Sequence, residues 1–116
     1  MMKINITSVM VEDQDKALRF YTEILGFVKT VDIPVGEFKW LTMVSPEGPD
    51  DIELVLEPNS NPAVAAKVYQ RALFESGIPG ISFGVDDIHK EYARLTALGV
   101  VFTMELTVPP CLMTLR

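Results

Sequence analysis

The groups in this sequence that could do chemistry are mostly carboxylates set on one expected strand. Asp51, Glu53 and Glu57 are interleaved with Ile52, Leu54 and Leu56. A strand over these residues would carry the acids on one face and the aliphatics on the other. Such a face either meets water or lines a ligand site, where a carboxylate accepts hydrogen bonds or holds a cation. Trp40 adds a flat ring, suited to core packing or to a planar ligand. His89, the sole histidine, follows Asp87 at an expected helix start, off the apolar stripe. It reads as a surface residue, so no Ser-His or Cys-His nucleophile is argued. Cys111 is the sole cysteine and reads as a free thiol. No glycine-rich phosphate loop is present.

The elements that would position these groups follow from periodicity. Residues 4 to 11 alternate as a strand, with Ile4, Ile6, Ser8 and Met10 on one face. Asp13 suits a helix N-cap, and Ala17, Phe20, Tyr21, Ile24 and Leu25 make a stripe that Gly26 ends. Strands are expected over 27–33, ended by Pro34 and Gly36, over 37–44 and over 51–57. Asn61 and Pro62 start a helix to about Ser76. A strand over 80–85, a helix capped by Asp87 and ended by Gly99, and a strand over 100–103 follow.

Composition narrows the functions. The 116 residues suit a single domain, 1–116, and are 48% hydrophobic with a net charge of −6. An acidic chain without a basic footprint argues against nucleic acid and favours neutral or cationic small ligands. No apolar run approaches the roughly 18 residues of a membrane span, and no signal-peptide layout opens the chain. A cytoplasmic protein is expected.

The pattern strand, acid cap, helix, Leu-Gly, strand occurs twice. Val11-Glu12-Asp13 matches Val85-Asp86-Asp87 at an offset of 74, and Leu25-Gly26 matches Leu98-Gly99 at 73. The first helix is therefore one residue longer. The run from Val11 to Phe27, with Ile52-Glu53-Leu54 and Phe83-Gly84-Val85-Asp86-Asp87, resembles the vicinal oxygen chelate superfamily, the glyoxalase, bleomycin-resistance and dioxygenase group. The resemblance implies an α+β fold of paired βαβββ modules, each sheet curved around a ligand cup. It places the first module at 2–58, a linker helix at 59–79 and an incomplete second module at 80–116.

Metal-dependent members carry ligands on the first and fourth strands of each module. Carried over, these positions fall at Ile6, Glu53 and Gly80, with the last beyond any expected strand. A slip by one residue gives Asn5, Thr7 or Ile81. Only Glu53 could ligate, so no metal cofactor is expected unless a partner chain supplies ligands. The resemblance puts Glu53, Trp40, Ser8 and Glu57 against a small-molecule ligand.

The tail from Met104 to Arg116, with Pro109 and Pro110, does not read as the turn and strands that the resemblance implies. Read in a shifted frame, codons for Cys111 to Thr114 can give Phe-Asp-Asp, a turn common in the family. A truncation or frameshift is expected there, leaving an open sheet edge that another copy could cover. The expectation is a homodimeric, metal-free binder. The alternatives are a lyase or dioxygenase relative completed by a partner chain, and a truncated, inactive product.

Overall fold

Asp13 and Asp87 each start a helix through the same local geometry. Asp13 (φ −130°, ψ 109°) accepts a hydrogen bond from the Lys16 amide at 3.0 Å. Asp87 (φ −137°, ψ 103°) accepts from the His89 and Lys90 amides, both at 3.1 Å. The extended backbone folds each carboxylate over N–H groups that have no helical partner. The computed structural model describes residues 1–58, 64–77 and 80–102. The chain divides into two units, Met1–Gly80 and Ile81–Arg116.

The first unit runs β1 (Ile6–Val11), α1 (Gln14–Arg19), a π-helical turn (Phe20–Ile24), β2 (Val28–Val35), β3 (Phe38–Val44), β4 (Glu53–Pro58) and α2 (Val64–Glu75). The second contains α3 (Ile88–Ala97). The architecture is α+β, and residues 6–58 form a βαβββ module. The extra residue of the first helix is held in the π turn. There the Leu25 amide reaches back five residues to the Phe20 carbonyl at 3.1 Å. In α3 the matching Leu98 amide reaches back only four, to Arg94, at 3.2 Å. Both helices then turn off at a glycine with positive φ, 83° at Gly26 and 87° at Gly99. Tyr21, on the π turn, stacks edge-on to Phe20 with ring centroids 5.6 Å apart. Its burial pushes the phenol above the usual 10.0.

The sheet order is β1-β4-β3-β2, with β1 parallel to β4 and the other pairs antiparallel. The ladders fix which side chains share a face. Leu41, Met43, Leu54 and Leu56 lie on the side that meets α1 and are 0 to 5% exposed. Burying each such side chain stabilises the fold by roughly 1.5–3 kcal/mol. Ile6, Ser8 and Met10 lie on the opposite face beside Glu53, Val55 and Glu57.

Gln14 joins α1 to this sheet through both ends of its side-chain amide. The β3–β4 ladder has only the pairs Thr42↔Val55 and Met43↔Leu54. Beyond them Gln14 takes over. Its Nε2 donates to the Lys39 carbonyl at 2.8 Å and the Leu56 carbonyl at 3.0 Å. Its Oε1 accepts from the Lys39 amide at 3.1 Å. The side-chain amide thus plays the part of a peptide group between two strands.

The structure shifts several expected boundaries. β1 begins at Ile6 rather than Ile4 because β4, its one neighbour among the described residues, begins at Glu53. β2 continues through Pro34 to Val35. It is an outer strand, where a missing N–H is tolerated. Residues 80–85 make no ladder among the described residues, contrary to the expected strand. Gly80 and Gly84 give this stretch little β-forming surface. Of the expected strand at 100–103, Phe102 makes a single bridge, and residue 103 lies outside the described residues. The start of the linker helix at Asn61 and the tail from Met104, with Cys111, also lie outside them.

Replacing Gln14 by Leu removes three hydrogen bonds and strands a partly buried carbonyl. We expect a loss of about 1–3 kcal/mol in urea unfolding. Gln14→Glu should lose at least as much, since a carboxylate oxygen would face two carbonyl oxygens. A change below about 0.5 kcal/mol for both would show that the bridge carries little of the stability.

Candidate functional site

The sheet face turned away from α1 gathers the polar groups. Alternation along β4 sends Glu53, Val55 and Glu57 to this face. The Thr42↔Val55 pair adds Thr42, and with it Trp40 two residues earlier. The Ile33↔Trp40 and Val28↔Val44 pairs add β2 residues to the same face. Most of it is apolar: Ile6, Val28, Ile33, Val35 and Trp40 are 41 to 60% exposed.

Glu53 is the half-buried acid in this apolar setting. Its Oε1 lies 2.9 Å from the Thr30 hydroxyl oxygen and 3.2 Å from the Thr42 hydroxyl oxygen. The two hydroxyl oxygens are 2.7 Å apart. Thr42 is fully buried. Thr30 reaches the cluster because the β2–β3 register shifts between Lys29 and Val31. The bulge inserts one extra residue and re-aims its side chain.

The remaining candidates share the face without meeting at one point. Ser8 is exposed and pairs with Val55, one position along the ladder face from Glu53. Glu57 is exposed and pairs with Met10. Four residues of strand, roughly 13 Å at 3.3 Å per residue, separate it from Glu53. Trp40 lies on β3 between the outer strand and β4. Asp51 precedes β4 and pairs with Lys3 at 2.8 Å. His89 is exposed on the first turn of α3. Thr30 and Gln14 carried no periodic signal in the sequence. Counting across the hairpin from the turn at Gly36 sets Val31 opposite Thr42 and would send Thr30 to the other face, so the register shift hides Thr30.

A divalent ion does not fit these residues. The ladder sets Ile6, which has no lone pair, directly beside Glu53. The Thr30 hydroxyl already occupies Oε1, and a donor facing a carboxylate competes with a cation for it. Among the described residues no three His, Cys, Asp or Glu side chains converge.

The fold and this face can be set beside known proteins. The family described as Glyoxalase/Bleomycin resistance protein/Dioxygenase superfamily matches residues 3–114. The chain belongs to that superfamily. It is 57% identical over 106 residues to YurT, an uncharacterised protein of Bacillus subtilis (strain 168), covering 91% of this chain and 82% of YurT. Among superfamily-like structures, UcmS2 superposes with a TM-score of 0.77 at 32% identity, over 90% of this chain and 80% of UcmS2. TnmS3, an antibiotic-binding protein from Streptomyces sp. CB03234, gives 0.64 at 27% identity, over 94% of this chain and 80% of TnmS3. The superfamily fold accounts for the βαβββ module.

A half-buried carboxylate on an apolar face adds little to stability. Glu53→Leu would replace it with apolar area, so we expect a urea midpoint equal to or above that of the unmodified protein. A drop of more than about 1 kcal/mol would assign Glu53 to holding the sheet together rather than to a ligand.

Proposed function

We propose that this chain is a metal-free, small-molecule-binding member of the superfamily. The ligand lies on the face of the first module turned away from α1, with Glu53 as its polar anchor, Trp40 as a flat wall, and Ser8 and Glu57 at the margin. The observation that carries the reading is Glu53 itself. Its Oε1 is fixed by two threonines on an otherwise apolar face, and Oε2 has no protein partner among the described residues. A flat apolar ligand with an ammonium or N–H donor satisfies both features. The net charge of −6 adds a mild general attraction for cations. The antibiotic binding named for TnmS3 supports a small-molecule ligand. The cytoplasm is the proposed location.

Trp40 is the sole tryptophan, so its emission reports on this face. Titration with proflavine, a planar aromatic cation with two amino donors, should quench it saturably. Glu53→Leu should weaken binding about tenfold, the effect of losing one charge-assisted hydrogen bond. Quenching that is absent, or unaltered in Glu53→Leu, would overturn the reading.

A homodimer is part of the proposal. Five large apolar side chains exposed on one sheet face are more than a soluble monomer usually leaves open. A second copy would cover part of that surface and close the ligand in. Light scattering at micromolar concentration should give about twice the chain mass of 12.9 kDa. A monodisperse species at the single-chain mass would contradict it.

A further inference from the structure

We propose that Thr30, through the β2 bulge, is the positioning residue that aims Glu53 at its ligand. The inference rests on the small-molecule reading above, and follows from counting protons. Three oxygen–oxygen contacts link Thr30, Thr42 and Glu53, at 2.7, 2.9 and 3.2 Å. A carboxylate brings no proton, and two hydroxyls bring one each. Two contacts therefore hold a proton and one holds none.

The two shorter contacts share Thr30. With protons in those two, Thr42 donates to Thr30, and Thr30 donates to Glu53 Oε1. Both other arrangements leave one of the shorter contacts empty, with lone pairs opposed. Thr42 is fully buried, so water cannot satisfy its hydroxyl, and Thr30 supplies the acceptor. Thr30 is thus the middle of a directed chain that runs from the buried hydroxyl to the carboxylate.

This chain fixes one oxygen of Glu53 and leaves the other for a donor. Among the described residues no cation fills that place. Lys3, Lys29 and Lys39 are paired with Asp51, Asp32 and Asp15 at 2.8, 3.2 and 3.0 Å. No ion pair involves Glu53 among the described residues. Holding the carboxylate in one rotamer before the ligand arrives reduces the ordering cost of binding. The bulge matters because the register carried from the hairpin turn sets Val31 opposite Thr42, and the shift between Lys29 and Val31 lets Thr30 share that face.

The test uses the full chain with four variants and two readouts. The first readout, free of any ligand, is the Glu53 side-chain rotamer distribution from three-bond NMR couplings. The second is the proflavine dissociation constant from Trp40 emission. Thr30→Val keeps the β-branched shape but leaves only the 3.2 Å contact from Thr42. It should broaden the Glu53 rotamers and weaken proflavine about fivefold, as expected for one lost hydrogen bond. Thr30→Ser should restore both. Thr42→Val leaves the Thr30 donor in place and should change binding less than twofold. In a Glu53→Gln background, Thr30→Val should cost much less than it does alone.

Unchanged Glu53 rotamers in Thr30→Val would overturn the proposal, as would a larger effect from Thr42→Val than from Thr30→Val. Broadened rotamers with undiminished proflavine binding would also overturn it. Broadened rotamers in a protein whose unmodified form ignores proflavine would uphold the positioning role and refute the binding reading instead.

Discussion

Parallel pairing of β1 with β4 is the constraint on which the rest of this module depends. Parallel neighbours cannot be joined by a tight turn, so the chain must leave β1, cross the sheet and return through other elements. Here α1 makes the crossing, and β2 and β3 are laid down before β4 docks beside β1. The register of that pair then decides which residues meet. Ile6 stands beside Glu53, and Ser8 beside Val55. A slip of one residue would send the β1 side chains to the opposite face, with Thr7 and Val9 in place of Ile6 and Ser8.

The two faces of the sheet do different physical work. The side under α1 is closed by Leu41, Met43, Leu54 and Leu56 and supplies the burial that holds the module together. The other side keeps Ile6, Ile33, Val35 and Trp40 in contact with solvent while fixing one carboxylate among them. Exposed apolar area and a partly desolvated acid both disfavour an isolated chain. They suit a surface that is completed by something else, whether ligand, second copy or both.

Much of this arrangement was legible in the sequence because it depends on local period. Alternation along 51–57 put Glu53 and Glu57 on the face opposite Leu54 and Leu56, and Trp40 and Thr42 fell on a common face of β3 in the same way. Asp13, Asp87, Gly26 and Gly99 marked helix ends because capping acts over three or four residues. The shift from an offset of 74 to 73 recorded the extra helical residue, though not its form as a π turn. Thr30 was hidden because its place depends on the β2–β3 register, a property of two strands at once. Gln14 was hidden because a polar residue in a first helical turn ordinarily faces water. The expected strand at 80–85 has no pairing neighbour among the described residues, and an extended segment becomes a strand only when one pairs with it.

The Gln14 bridge also has a mechanical consequence. Where β3 and β4 stop pairing directly, the rung between them belongs to a helix rather than to either strand. Separating the strands there requires pulling Gln14 out of the gap, and Gln14 cannot leave without moving α1. Opening of the sheet at this end and tilting of the helix are therefore one motion. Lys39 and Leu56, the residues Gln14 grips, immediately precede Trp40 and Glu57 in the chain. A disturbance of the helix at Gln14 is delivered first to that pair, while Glu53 lies on the far side of the regular rungs.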